Sequence, residues 1–312
     1  YKESKLILEK IKRAKRILVN CHRSPDPDSV GSALALYKVL LKMGKEVRIV
    51  CPSGHIPENL NFLHNFEKIE IVDFSKFDFG SVDLFVALDS SSWDMVSDSK
   101  ELAQPLVPFM VIDHHKTNKR YGEINLVDDK VTSVGELLYL VLEDWGVEID
   151  KNIATSLLTG IIGDTGAFRY PGTSVRTLDI GKKLIELGAG KDEIIFHIYH
   201  SIDFKLLKFY GEVLSRVKID KKNKFVWSAI PYKIYKKLSK PNSAREASSS
   251  LFAQIVEDTE FGMVMVEQEK EKLSVSLRSR TGFDTSKIAT ALGGGGHIYA
   301  SGGKVEGLPF DK

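Results

Sequence analysis

Three short apolar runs, each delivering an acid or a histidine at its carboxyl end, constrain this chain more than any other feature. Ile17-Leu18-Val19 leads into Asn20-Cys21-His22. The strand predicted over Asp83–Leu88 stops at Asp89, and the one over Phe109–Ile112 stops at Asp113-His114-His115. Helical patterns fill the gaps. Leu6, Ile7, Ile11 and Ala14 mark a one-faced helix over 2–15. Asp28 and Ser29 open a helix that runs from Val30 through Leu36, Val39 and Leu40 to Met43; Gly44 stops it ahead of a strand at Val47–Val50. Further helices read at Ser133–Trp145, Ile153–Ile162 and Arg176–Leu187. Strands alternating with helices build βαβ units and a mainly parallel sheet, and open sheets of that kind bind ligands beyond the carboxyl ends of their strands.

The predicted fold class is therefore α/β. A larger N-terminal domain, 1–187, carries a mainly parallel sheet flanked by helices. A helical connector follows over 188–217, then a smaller C-terminal α/β domain with a mixed sheet over 218–312, with strands at Phe225–Ile230, Gly262–Val266 and Leu273–Leu277. The active site is expected in the cleft between the domains. A length of 312 residues suits two domains with a core each.

Lys and Arg number 44 against 42 Asp and Glu, a formal net charge of +2. That balance argues against coating long nucleic acid by charge alone and leaves room for a small anion in a local basic pocket. With 43% hydrophobic and 28% charged residues, wholesale disorder is excluded. Cys21 and Cys51 are too few for a disulfide framework and suit a reducing compartment, so a cytoplasmic location is expected. No apolar run approaches the ~18 residues that cross a bilayer. The chain begins at Tyr1, which leaves its true start open.

The strand ends carry the chemistry. His22-Arg23-Ser24-Pro25-Asp26-Pro27-Asp28 places one imidazole and two carboxylates where a strand gives way to a helix. A helix N-cap at Asp28 would explain that residue alone, not His22 or Asp26. Asp89 and Asp113 add acids at two more strand ends, and Gly163-Asp164-Thr165-Gly166 adds another at the end of an apolar helix. Imidazole with carboxylate and no thiolate suits a first-row divalent ion, Mn²⁺ above all, with Mg²⁺ or Co²⁺ as substitutes. One imidazole and five carboxylates are too many ligands for one ion. With His114 and His115 they fit two ions about 3.5–4 Å apart sharing a bridging carboxylate, a pair that holds a hydroxide and phosphoryl oxygens together.

The motifs, His22-x-x-x-Asp26-x-Asp28 with Gly31-Ser32, then Asp89, Asp113-His114-His115 and Asp164, resemble those of the DHH phosphoesterase superfamily in order and type. Gly293-Gly294-Gly295-Gly296-His297 and Ala300-Ser301-Gly302 resemble its DHH-associated domain, so the likeness covers nearly the whole chain. Among subfamilies it is most similar to the NrnA-type nanoRNases, which degrade very short oligonucleotides and dephosphorylate 3′-phosphoadenosine 5′-phosphate (pAp). The resemblance implies one ion held by His22, Asp26 and Asp89, and another by Asp28, Asp89, His114 and Asp164, with Asp89 bridging. It implies His115 facing the phosphate near the leaving group and Asp113 orienting its neighbours. Short oligonucleotides or small nucleotides are the implied substrates, and a homo-oligomer is compatible. A manganese pyrophosphatase and a RecJ-type single-strand exonuclease share the metal motifs. A nucleotide-binding regulatory module is the non-enzymatic alternative.

Substrate recognition falls to the second domain in this reading. Arg278 and Arg280 close a predicted strand two apart, hence on one face, and guanidinium suits phosphate. Gly294, Gly295 and Gly296 can bring backbone N–H groups near an anion or a base, with His297 and Ser301 beside them. The run follows a helix and is no dinucleotide fingerprint. The eight lysines of 218–240, interleaved with Phe225, Trp227, Tyr232 and Tyr235, read as a solvated face over core aromatics. His197 and His200 read as structural or surface residues.

Overall fold

A computed structural model describes residues 1–52, 56–201, 203–241, 244–307 and 310, apart from the side chains of 245–247 and 250. Tyr1–Ser201 and Ile202–Lys312 form two compact units.

The first unit runs α1 (Lys2–Arg13), β1 (Arg16–Asn20), α2 (Pro27–Lys42), β2 (Glu46–Cys51), β3 (Ile69–Ile71), β4 (Leu84–Leu88), α3 (Trp93–Ser97), β5 (Phe109–Asp113), β6 (Ile124–Val127), α4 (Val134–Asp144), α5 (Lys151–Asp164), α6 (Val175–Glu186) and α7 (Lys191–Tyr199). Its six strands are all parallel, in the order β3-β2-β1-β4-β5-β6. Successive strand residues serve opposite faces. Ile17, Val19, Val86, Leu88 and Ile112 enter the core that holds α2, α4 and α5. Leu18, Phe85, Ala87 and Val111 enter a second, aromatic core with Phe74, Trp93 and Phe109. Both faces are thus covered, which is why these strands read as unbroken apolar runs.

Strand order reverses between β1 and β4, and the crevice at such a switch point is where a doubly wound sheet holds its ligand. α2 begins one residue earlier than the sequence reading, and its cap is different. Asp26, not Asp28, is the N-cap: its Oδ1 accepts the N–H groups of Asp28 and Ser29 at 3.0 and 2.9 Å. Pro27 fills the first helical position, where a missing N–H costs nothing.

The helical stretch 188–217 is divided between the units: α7 belongs to the first and α8 (Phe204–Ser215) to the second. The second unit continues with β7 (Lys218–Asp220), β8 (Phe225–Ile230), α9 (Tyr232–Lys237), α10 (Ala244–Phe252), β9 (Phe261–Glu269), β10 (Lys272–Ser279), α11 (Thr285–Ala291), β11 (Gly295–Gly296) and β12 (Ala300–Glu306). Its sheet, β11-β12-β10-β9-β8-β7, is antiparallel except for the parallel β8–β9 pair, and so mixed as expected. β12 escapes a reading based on apolar alternation because its inward positions are small. A β-carbon on Gly303 would sit 2.7 Å from Leu292 Cβ, at the end of α11.

Candidate metal centre

At the switch point the carboxyl ends of β1, β4 and β5 set His22, Asp89, Asp113, His114 and His115 side by side. Asp89 is the hub. One carboxylate oxygen, Oδ2, lies 3.4 Å from His22 Nε2; the other, Oδ1, lies 3.4 Å from His114 Nε2 and 3.6 Å from His115 Nδ1. The residue is 2% exposed and sits in the left-handed region at φ 52°, its N–H bonded to the Ile112 carbonyl at 3.1 Å. A non-glycine residue there is strained, and such strain persists where the surroundings over-determine it.

The imidazole of His22 is oriented by its own backbone. Its Nδ1 is 2.7 Å from the Arg23 carbonyl, which can only accept, so Nδ1 carries a proton and Nε2 is the atom turned toward Asp89 and toward Asp26 Oδ2 at 3.8 Å. Asp26 thus divides its oxygens, Oδ1 capping α2 and Oδ2 facing the cluster. On the other side, His114 Nε2 lies 3.2 Å from Asp164 Oδ2 and 3.9 Å from Asp28 Oδ2. Two groups that could each hold an ion, His22 with Asp26 and Asp89, and Asp28 with Asp89 and His114, share Asp89.

Asp28 is fully buried, and three donors hold it: the N–H of Val134 on Oδ2 at 2.6 Å, and on Oδ1 the N–H of Gly135 at 2.9 Å and the Ser32 hydroxyl at 3.1 Å. The amino end of α4 thus aims its unsatisfied N–H groups and positive dipole end at this carboxylate. Glycine at 160 is required by the approach of α5, since a β-carbon there would lie 2.2 Å from Asp28 Oδ1.

His115 is held differently. Its Nδ1 lies 2.7 Å from Asp113 Oδ1, and Asp113 Oδ2 accepts the Asn118 amide at 2.6 Å. Asn118 in turn reaches the Ser90 carbonyl just past β4. Asp113 itself is fully buried.

Charge on this cluster follows from burial and crowding. Burial, then the negative charge of Asp89, pushes Asp28 up to about 7, and burial with Asp28 raises Asp164 well above the carboxylate range. Burial alone would lower His22 and His114, but the facing carboxylates hold both well above the ordinary imidazole value. Asp89 goes the other way: burial opposes its charge, yet His114 and His22 keep it well below the usual range. Crowding of this kind marks functional sites.

The arrangement fits divalent ions. Asp89 Oδ1 is buried with no hydrogen-bond partner among the described residues. The 3.2–3.9 Å gaps between ring nitrogens and carboxylate oxygens around Asp89 and His114 lie at or beyond the upper end of N–H···O hydrogen bonds. Two donors each about 2.1 Å from one ion at ordinary coordination angles stand roughly 3.0–3.4 Å apart, which is the spacing of the shorter gaps.

All eight expected metal and catalytic residues come together in this unit. Sequence reasoning missed Asn118 and the amino end of α4. The Ser133-x-x-Glu136 pattern locates that helix start, with Ser133 Oγ accepting the Glu136 N–H at 3.0 Å. Nothing local says that it meets Asp28, 106 residues away.

The substrate candidates lie in the second unit. Arg278, half-exposed, is in β10 opposite Gly262 and Ala300, and its Nη1 donates to the Leu277 carbonyl at 2.9 Å. β10 ends at Ser279, so Arg280 lies past it, exposed, with Nη1 3.1 Å from the Thr259 carbonyl. Gly294 passes so close to β12 that a β-carbon would meet the Gly302 carbonyl at 2.0 Å, while Gly295 and Gly296 pair with Gly302 and Ser301. Ser301 donates to Thr285 Oγ1 at 2.8 Å, and the N–H of His297 to the Ala300 carbonyl at 2.8 Å. In the first unit, His197 stacks on Phe62 at 4.6 Å.

Residues 16–161 match the family model of the DHH family N-terminal domain, and residues 232–310 that of the DHHA1 domain. A protein of Thermus thermophilus named bifunctional oligoribonuclease and PAP phosphatase NrnA is 30% identical over 100% of this chain and 91% of its own length. The chain belongs to the DHH family. A Streptococcus mutans DHH relative, named probable bifunctional oligoribonuclease and PAP phosphatase NrnA, is 28% identical over 96% of this chain and 92% of its own. Among solved structures, an exopolyphosphatase-related protein from Bacteroides fragilis superposes with a TM-score of 0.88 at 24% identity, covering 98% of this chain and 92% of that one, which establishes a shared fold. Among the described residues no helix is long and apolar enough to cross a membrane.

Proposed function

We propose that this chain is a cytoplasmic, metal-dependent phosphoesterase that hydrolyses short oligonucleotides and pAp, releasing nucleoside monophosphates. The buried Asp89 carboxylate, shared between two ligand sets and flanked by three imidazoles, carries the reading. The names of the DHH relatives supply the substrate class.

His22, Asp26 and Asp89 would hold one divalent ion, and Asp28, Asp89, His114 and Asp164 the other, Mn²⁺ suiting this mixed set best and Mg²⁺ or Co²⁺ replacing it. When bound, such a pair polarises phosphoryl oxygens and lowers the pKa of an attacking water. The protein's own groups do the rest. The Arg23 carbonyl keeps His22 Nε2 turned inward. The N–H groups of Val134 and Gly135 at the amino end of α4 fix both oxygens of Asp28 in place. Asp113 fixes His115 through Nδ1, so that Nε2 is the atom offered to a leaving oxygen as donor or acid, and Asn118 keeps Asp113 in place. Arg278, Arg280, Gly294–Gly296, His297 and Ser301 recognise the nucleotide in this reading.

A product profile tests it. Purified protein with Mn²⁺ is offered pAp, a dinucleotide, a long single strand and pyrophosphate. Rapid turnover of the first two, with the others slow, is expected. Fastest turnover of pyrophosphate, or processive digestion of the long strand, would replace the proposal with one of the two rival enzymes. No turnover with metal bound would leave a nucleotide-binding module.

A further inference from the structure

The segment that leaves Asp164 is built unusually. Gly166, Ala167 and Phe168 are three consecutive residues in the left-handed region, at φ 57°, 58° and 64°. Glycine is at ease there, but alanine and phenylalanine carry a β-carbon that opposes it. The turn is secured on every side. The Ala167 N–H donates to the Ile162 carbonyl at 2.8 Å, and the Phe168 N–H to Thr165 Oγ1 at 2.9 Å. The N–H groups of Arg169 and Tyr170 both reach the Thr165 carbonyl, at 2.9 and 3.0 Å. The Tyr170 ring lies against Gly166, and the Phe168 ring against Gly181 of α6.

What this over-determined turn presents is the guanidinium of Arg169. Its Nε donates to the Gly166 carbonyl at 2.5 Å, and its Cζ lies 5.7 Å from the centroid of the Tyr199 ring. Tyr199 in turn donates its hydroxyl to the Ile162 carbonyl at 3.0 Å. The cation is therefore pinned over the last turn of α5, the turn that carries Asp164. The phenol it lies against bonds the Ile162 carbonyl, two residues before Asp164, so Arg169 is held beside the end of α5 that carries Asp164. The Tyr199 phenol senses both groups: burial raises it to about 12, with Asp164 adding and Arg169 opposing. The side chain is exposed, and among the described residues it makes no ion pair, although five carboxylates crowd the neighbouring centre. A guanidinium needed only for packing would gain most by pairing with an acid. This one keeps its charge open on the catalytic unit.

We infer that Arg169 binds a phosphate of the nucleotide substrate other than the one attacked, and that the left-handed turn at 166–168 exists to hold its guanidinium there. The inference rests on the phosphoesterase reading above and names a recognition group within the metal-binding unit itself. A bidentate fork fixed at Nε and backed by an aromatic ring is suited to a terminal phosphate, and its charge offsets the acidity that a dianionic substrate meets at this site.

The test compares the full-length wild type with Arg169→Gln and Arg169→Lys on two dinucleotides, one carrying a 5′-phosphate and one with a free 5′-hydroxyl. Metal content and thermal midpoint are recorded for each protein. Loss of a charge-assisted phosphate contact should raise KM for the phosphorylated dinucleotide about 10- to 150-fold in Arg169→Gln. Its kcat, its KM for the unphosphorylated dinucleotide and its bound metal should stay near wild type, and Arg169→Lys should recover part of the loss. Equal losses on both dinucleotides, a loss of bound metal, or unchanged KM would each overturn the inference. Dissociation constants for both dinucleotides are measured alongside. If the wild type binds without hydrolysing, the phosphoesterase reading fails, while the phosphate selectivity of Arg169 is still decided by those constants.

Discussion

Replacing Gly160 with alanine separates helix propensity from site geometry. In an open helix interior the change stabilises by about 1 kcal/mol. At 160 the new β-carbon would lie 2.2 Å from Asp28 Oδ1 and 3.2 Å from Asp28 Cα. The carboxylate cannot swing aside freely, because Val134, Gly135 and Ser32 hold it at 2.6, 2.9 and 3.1 Å. A shift of about 1 Å would carry Oδ1 out of its two hydrogen bonds, and bonds to a charged group contribute about 1.5–3 kcal/mol each. Even one such loss exceeds the propensity gain, so net destabilisation of about 0.5–5 kcal/mol is expected, the range running from one bond lost to two. Gly211 in α8 is the control, since nothing lies within 4 Å of its β-carbon position and alanine there should be neutral or stabilising. The assay is thermal unfolding in chelator, together with metal content after reloading. Gly160→Ala should melt below wild type and lose the ion assigned to Asp28. A variant as stable as Gly211→Ala, with its metal complement intact, would refute this account of how Asp28 is held.

Asp89→Ala should cost more bound metal than Asp113→Ala, since Asp89 faces both ligand sets while Asp113 acts through His115; elemental analysis beside rate measurements decides, and the reverse order would undo the role assignment. The metal-free protein should lose stability as pH rises from about 4 to beyond about 7. Asp28, raised to about 7, and Asp164, His22 and His114, all raised, hold protons more tightly folded than unfolded, so their contribution is present at low pH and lost as pH climbs through the folded values. Asp89 and Asp113 are depressed, so theirs is lost only as pH falls below the carboxylate range, outside this window. Melting in chelator across that range checks the sign, and added Mn²⁺ should narrow the difference. Gly294→Ala should destabilise the second unit, because its β-carbon would meet the Gly302 carbonyl at 2.0 Å; metal bound to the first unit should be unchanged.

Much of the centre is legible in the sequence because a parallel sheet buried on both faces writes its strands as apolar runs, so the acids at Asp89 and Asp113 stand out where the runs stop. Residues reached through the chain's return are not written locally. The N–H groups of Val134 and Gly135 become ligands of Asp28 only when α4 docks on α2, and Asn118 supports Asp113 only because the loop after β5 doubles back to Ser90. The cap of α2 is not decided by residue type, because Asp26 and Asp28 are equally good capping residues; the proline between them settles the matter by taking the first helical position. β12 is illegible for a different reason: its inward positions, Ser301 and Gly303, are small because α11 and the residue after it pack against them.

The central claim is that the Asp89 cluster is a two-ion centre that does the hydrolysis. Calorimetric titration of Mn²⁺ into chelator-stripped protein, with dinucleotide turnover followed on the same samples, tests it most directly. The account predicts two ions bound per chain, release of protons as His22, His114 and Asp28 give theirs up, and turnover that appears only as the second site fills. Full turnover in protein shown by elemental analysis to hold no metal, or saturation at a single ion with full activity, would contradict it.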